Sequence, residues 1–381
     1  MNQKWRAFAI VAVMIAGMPL AIPLEWNGWD FLNLFAFHHC GARNAPYAPG
    51  VICDARHWPM NYPPLLYWSF TWTRPLSFFT AHVVWSAVIA GGIVWAGWLW
   101  GARWFACGLL LLFPTIFSLN SGNNDIVVVL LWSVACWAWR RSVFWSGAFA
   151  GAAVAYKLYP GFALGLVMVT LAITERRALR AFAAGAGFAL VLQALVFARD
   201  WLAYVPGNLA SYVENVPEPG WYTHAVPGIA SGWLGDARLG LVVSGTIFLA
   251  WGIFLTRVKD ADRRILFAGA LALSTYVVQT SYDYNLLTTY PLLAVLIAAS
   301  LRERRSHFAL AMCLMGLFAV GHRNIFLWTD RGRLLPAVLQ IGWLLTLAVW
   351  GSLQPAAALA LSAAPVPATD EAASRRRTPT P

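Results

Sequence analysis

The residue types able to do chemistry crowd into one stretch. Between Glu25 and Trp68 the chain carries Asp30, Asp54, His38, His39, His57, Cys40, Cys53 and the rigid Tyr62-Pro63-Pro64, whereas most of what surrounds the stretch is apolar. Asp30 lies between Trp29 and Phe31. A carboxylate in such low-dielectric company is a strong proton acceptor once ionised, so Asp30 is the first candidate for a general base; a solvated loop acid is the plainer alternative. Asp54 stands beside Arg56 in Cys53-Asp54-Ala55-Arg56-His57, where a local ion pair is the simplest reading. Cys40 and Cys53 are disulfide candidates in an oxidising compartment; with the neighbouring histidines they could instead bind a metal, although the spacing fits zinc poorly. Cys107, Cys136 and Cys313 read as small apolar fillers.

Four further motifs interrupt apolar sequence. Lys157-Leu158-Tyr159-Pro160 puts a cation between two apolar runs. Such a lysine is costly unless it meets an anion, for which a phosphate near a membrane surface is a natural partner; the alternative is a side chain that snorkels to the interface. Gly122-Asn123-Asn124-Asp125 opens an apolar run, either as a helix cap or as a set of free amides offered to an anion. Asp283 sits in Ser281-Tyr282-Asp283-Tyr284-Asn285, and His224 in a long polar interval with Asn215, Glu218, Trp221 and Tyr222. That interval suits sugar hydroxyls and stacking, or a plug over the remaining helices. Tyr62-Pro63-Pro64 excludes helix before the second proline and so either directs how the chain re-enters the apolar part or simply ends a helix.

The elements that must position these groups follow from composition. A 381-residue chain that is 60% hydrophobic and 11% charged, with mean hydropathy +0.60, predicts an all-α polytopic membrane protein rather than a soluble domain. Apolar segments of near-spanning length fall at roughly 6–24, 81–100, 104–120, 125–139, 142–157, 160–174, 181–198, 239–256, 265–280, 286–301, 307–321 and 334–353, about twelve transmembrane helices within a range of about 10 to 13. The first is expected to be a span and not a signal peptide, since Leu24-Glu25-Trp26 offers no cleavage site. The 22 tryptophans suit two interfacial belts. With the N-terminus inside, 18 of the 27 basic residues fall on the cytoplasmic side and 10 of the 16 acids outside. That bias predicts cytoplasmic termini in a plasma (inner) membrane, two long outer loops at 25–80 and 199–238, and every motif above on the outer face. Residues 1–361 form one transmembrane domain, and 362–381 a disordered cytoplasmic tail. The net charge of +11 is scattered over short loops, so the bilayer and not nucleic acid is the expected partner.

Asp30-Phe31 in a long first loop, Asn61-Tyr62-Pro63-Pro64-Leu65, Gly122-Asn123-Asn124, the stretch Gly151 to Pro160 and the stretch Tyr284 to Leu292 together resemble the polyprenol-phosphate-sugar-dependent glycosyltransferases of the C superfamily, most closely glycosyltransferase family 87. The resemblance implies a many-helix glycosyltransferase C-like fold with an outward site, a lipid-phosphate sugar donor, and an acidic base in the first loop, which Asp30 matches. The family usually shows Gly-Gln-x-Asn where this chain has Gly122-Asn123-Asn124-Asp125, and a histidine or serine in the segment that holds Asp283.

The expected activity is transfer of a hexose such as mannose from a polyprenyl-phosphate carrier to a lipid-linked or envelope glycan acceptor, with inversion. A polyprenyl phosphate leaves without a strong general acid but needs cations; Lys157 is the first candidate, followed by Arg56 and Arg323. Tyr62, Asn123, Asn124, Asp125, Tyr159, Asp283 and His224 are the expected substrate-side residues, and no cofactor is expected. The rivals are a flippase or transporter for a lipid-linked glycan and a polysaccharide polymerase or ligase. A transporter should show repeat-related helices with mid-depth charges, and neither is visible.

Overall fold

In a computed structural model the protein is described over residues 3–16, 29–41, 43–48, 51–53, 60, 62–209, 225–227, 237–257, 263–277, 283–302, 307–321 and 334–353. Among these residues there is helix and connecting turn but no strand. The helices are α1 (Gln3–Ala16), α2 (Trp29–His39), α3 (Pro64–Ser69), α4 (Phe78–Leu99), α5 (Phe113–Ser121), α6 (Asp125–Ala138), α7 (Val143–Tyr156), α8 (Pro160–Thr174), α9 (Arg176–Val196), α10 (Ala198–Tyr204), α11 (Ala237–Arg257), α12 (Arg263–Val277), α13 (Tyr290–Arg302), α14 (His307–Gly321) and α15 (Leu334–Leu353). Tighter 3-10 turns occupy Thr71–Thr73, Arg103–Leu111 and Asp283–Thr289.

Each apolar run expected from the sequence has a helix, but not all have the length to cross a bilayer. Phe78–Leu99, Arg176–Val196 and Arg238–Thr256 are long and apolar enough, and Arg103–Leu111 with Phe113–Ser121 makes a fourth if counted as one span bent by 65°. The bend comes where Leu112 turns extended and Pro114 enters the first turn of α5, since proline cannot continue the preceding ladder of hydrogen bonds. Five other apolar helices have 10–17 residues, and α15 has 20. A helix as short as α6, with 14 residues, reaches about 21 Å against a hydrocarbon core of about 30 Å. Twelve full spans are therefore more than the described helices provide.

Close packing holds the bundle where small residues remove the side-chain layer. A Cβ on Gly147 would lie 2.0 Å from the Phe182 carbonyl oxygen, and one on Gly185 would lie 1.9 Å from that of Phe144, so α7 and α9 touch backbone to backbone. Tryptophan is divided between two settings. Trp104 is 78% exposed, as an interfacial belt requires, but Trp100, Trp132 and Trp343 are buried and spend their indole N–H on Ser133 Oγ (2.7 Å), the Phe267 carbonyl (2.7 Å) and the Met312 carbonyl (2.9 Å). A buried indole needs such an acceptor, and each one here ties two helices together.

Candidate functional site

The centre of the site is the start of α2 against the turn between α5 and α6. Phe31 is buried among Phe70, Phe78 and His82, with ring centroids 6.0, 5.8 and 5.4 Å away, which pins the first turn of α2 to α4. Gly122 ends α5 in the left-handed region at φ +67, and a Cβ there would meet Phe31 Cβ at 2.5 Å. Only glycine satisfies both demands. Its carbonyl accepts the indole N–H of Trp85 at 3.0 Å, which fixes the turn to α4.

That turn delivers Asn123 to Asp30. Asn123 is buried; its Oδ1 accepts the backbone N–H of Asp125 at 2.8 Å, so its Nδ2 must face the other way, and it donates to Asp30 Oδ2 at 3.1 Å. Tyr62 donates its hydroxyl to Asp30 Oδ1 at 3.4 Å. The half-buried carboxylate is thus held by a phenol and a carboxamide from two separate segments. Asn124 occupies the N-cap position of α6 without any side-chain cap bond, and the N–H of Asp125 that opens the helix is taken by Asn123 Oδ1 instead.

A second carboxylate, Asp125, follows two residues after Asn123. Asp125 is fully buried and receives Lys157 Nζ at 2.6 Å and the Tyr159 hydroxyl at 3.2 Å on Oδ1, and Asn285 Nδ2 on Oδ2. Lys157 leaves α7 in an extended conformation, and Pro160 starts α8, so the hairpin tip turns Lys157 and Tyr159 together onto Asp125. The anion that Lys157 meets is therefore inside the protein. A side chain reaching out to an interface is not what the structure shows: Lys157 is only 12% exposed. Asn285, from the 3-10 turn at 283–289, is a participant that the residue types alone did not single out, although its segment had been marked.

The polar segment before α4 forms a wall beside Asp30. Pro63 is extended at φ −58, ψ 155 and Pro64 begins α3, as two consecutive prolines require. The Tyr62 carbonyl accepts the Tyr47 hydroxyl at 2.8 Å. Cys40 and Cys53 are joined in a disulfide with Cα atoms 5.9 Å apart. His38 stacks on Tyr67 at 4.2 Å and bonds its carbonyl through Nε2 at 2.9 Å, while His39 bonds the Phe35 carbonyl at 2.8 Å. Both imidazoles are thus used in packing, and among the described residues no three of His, Cys, Asp and Glu converge as a metal site. These groups lie off the long apolar helices, and burial lowers His38 to about 4 while it raises the Tyr67 phenol to about 12, opposed there by Arg74. His38 is therefore neutral at pH 7 and donates from Nε2 to the Tyr67 carbonyl.

The same wall is tied to the second polar interval. Trp68 donates to Asp200 Oδ2 at 2.6 Å, and Tyr47 meets Tyr204 edge-on at 5.5 Å. Arg74 lies over Trp68 at 5.7 Å, with Nε and Nη2 buried and without a hydrogen-bond partner; no motif pointed to it in the sequence. Of the other expected site residues, Arg56, His224 and Arg323 lie outside the described residues, as do Asp54 and the side chain of Asp283. Asp30, Tyr62, Asn123, Asp125, Lys157 and Tyr159 form one bonded chain, to which the Asn124 side chain adds no hydrogen bond.

A search of curated proteins finds no match to this chain, and a search of solved structures finds none either. The profile of glycosyltransferase family 87 matches residues 61–281. The matched stretch takes in Tyr62, the turn at 122–125 and Lys157 to Pro160, begins after Asp30 and ends before Asp283. It covers more than half of the 381 residues, and with the apolar helices that carry these motifs it establishes that the chain belongs to glycosyltransferase family 87 and is a membrane glycosyltransferase.

Proposed function

We propose that the protein transfers a hexose, for example mannose, from a polyprenyl-phosphate donor to a glycan or glycolipid acceptor, with Asp30 as the general base. The observation that carries this reading is the Asp30 carboxylate, oriented by Asn123 and Tyr62 at the edge of the polar wall. In the proposed step an acceptor hydroxyl gives its proton to Asp30 and attacks the anomeric carbon. The bond from that carbon to the phosphate oxygen breaks, polyprenyl phosphate departs, and attack from the opposite face inverts the centre.

The leaving phosphate needs positive charge. Lys157 is the cation nearest in the bonded chain, and its pairing with Asp125 means that a phosphate must compete with an internal carboxylate for it. Arg56 and Arg323 complete the proposed set of cations, and Asp283, His224, Tyr159 and Asn124 the proposed substrate-side groups. The asymmetry of basic residues along the sequence supports cytoplasmic termini in the inner membrane with the site outward.

The test is transfer in membranes from a panel of radiolabelled polyprenyl-phosphate sugars, with nucleotide sugars as controls. Label from the lipid donor, lost in Asp30→Asn with the protein still inserted and folded, is the expected result. Transfer from nucleotide sugars while the lipid route is blocked would overturn the donor assignment.

A further inference from the structure

We propose that the turn at residues 118–124 is a subsite that reads hydroxyl groups of the transferred hexose, with the Asn124 carboxamide as its central contact and Ser121 and Ser118 beside it. This inference rests on the transferase reading above and adds a recognition role to it.

The observation is a concentration of polar atoms with nothing to bond. Asn124 is 0% exposed, yet neither Nδ2 nor Oδ1 has a hydrogen-bond partner. Ser118 Oγ at 0% exposure and Ser121 Oγ at 6% are in the same condition, as is Asn120 Oδ1. Ser118 and Ser121 are three residues apart in α5 and so share one side of it. From α4, Ser86 Oγ is a further buried atom without a partner, one residue beyond the Trp85 that bonds the Gly122 carbonyl.

Buried polar atoms are nearly always bonded, and each one left alone is destabilising. Elsewhere in the described residues such atoms occur on scattered side chains; here they occupy one turn, immediately beside the asparagine that holds Asp30. Asn124 is not spent on capping, because it stands at the N-cap position of α6 without a side-chain cap bond and the Asp125 N–H goes to Asn123. The chemistry of the set indicates the ligand. A carboxamide and hydroxyls both donate and accept and carry no charge, which matches sugar hydroxyls and not the phosphate, whose cationic partners lie elsewhere. The hexose ring must also sit within reach of Asp30 while the acceptor attacks it. The cost of leaving these groups unbonded is recovered only when substrate hydroxyls pair with them.

The experiment crosses substitutions with donors. The full-length protein and its Asn124→Ala variant are reconstituted in liposomes and supplied with polyprenyl-phosphate hexoses and their monodeoxy analogues. With the intact hexose, Asn124→Ala is expected to lower kcat/KM by about 10- to 100-fold; with the analogue that lacks the contacted hydroxyl, the same substitution should change it by less than about 3-fold. Asn124→Leu should melt at least as high as the unchanged protein while losing the same activity, since an apolar isostere removes the unpaired atoms. Equal losses on every donor, or a lower melting temperature for Asn124→Leu, would overturn the subsite in favour of ordered water or packing. Should the Asn124 variants fail to fold, Ser121→Ala carries the same crossed comparison. If the unchanged protein used none of these donors, the proposed polyprenyl-phosphate hexose donor would fall, and this inference with it.

Discussion

Asp30 and Asp125 are two carboxylates joined through the carboxamide and backbone around Asn123, and the molecule treats them differently. Asp125 is fully buried and surrounded by a cation, a phenol and a second carboxamide. Asp30 is half-buried and accepts hydrogen bonds from the Tyr62 phenol and the Asn123 carboxamide. A buried carboxylate satisfied by an ammonium is a fixed joint, because a substrate that engages it must first take apart a desolvated ion pair. A carboxylate still reached by solvent can exchange a proton. The comparison assigns architecture to Asp125 and chemistry to Asp30, although both are aspartates in the same polar region.

The assignment can be broken most directly at Asp30. Asp30→Asn keeps the size and the acceptor atom for Tyr62 and is expected to reduce transfer by about a thousandfold or more, with little change in melting temperature in detergent. Asp125→Ala should show the opposite profile. It leaves Lys157 buried without its anion and should cost about 3–5 kcal/mol, read as loss of folded protein, whereas Asp125→Leu combined with Lys157→Met should recover much of that loss. If the single Asp125 substitution left stability unchanged and removed only activity, the division between the two carboxylates would be wrong.

Smaller effects sharpen the comparison. Tyr62→Phe removes one of the two named donors to Asp30 and is expected to lower kcat by about 3- to 10-fold with KM changed little, because the carboxylate stays but its orientation loosens. The smallest effect concerns the wall behind it. His38 is held neutral by burial, at about 4 against an ordinary 6.5, so the unfolded chain binds more protons between those values and stability falls as pH drops from about 6.5 towards 4. Melting curves across that range should decline less steeply in His38→Gln, which keeps a donor for the Tyr67 carbonyl without a titrating group.

Much of the helix layout was legible in the sequence, since twelve apolar runs correspond to helices at nearly the same positions. Length was less so: several runs become helices of 10–17 residues, and the run at 104–120 breaks by 65° at Leu112 and Pro114. A hydropathy window averages over such breaks, because the apolar residues on both sides of a bend count alike. The role of Asn285 was hidden for a different reason, since its bond to Asp125 joins positions 160 residues apart.

The sequence by itself determined that the chain is apolar enough for a membrane, that its reactive residues gather in a few short motifs, and which family those motifs resemble. These are properties of composition and local order, which need no partner to be expressed. Only the tertiary structure decided who bonds to whom. Lys157 in the sequence is a cation awaiting an anion, and phosphate is a fair guess; in the fold, the hairpin tip carries it onto Asp125, because a buried ammonium takes the nearest buried carboxylate. Gly122 in the sequence is one of 30 glycines, and in the fold it is the position where a Cβ would strike Phe31 and displace Asp30. Pairing across helices depends on three-dimensional distance, which residue order does not encode locally.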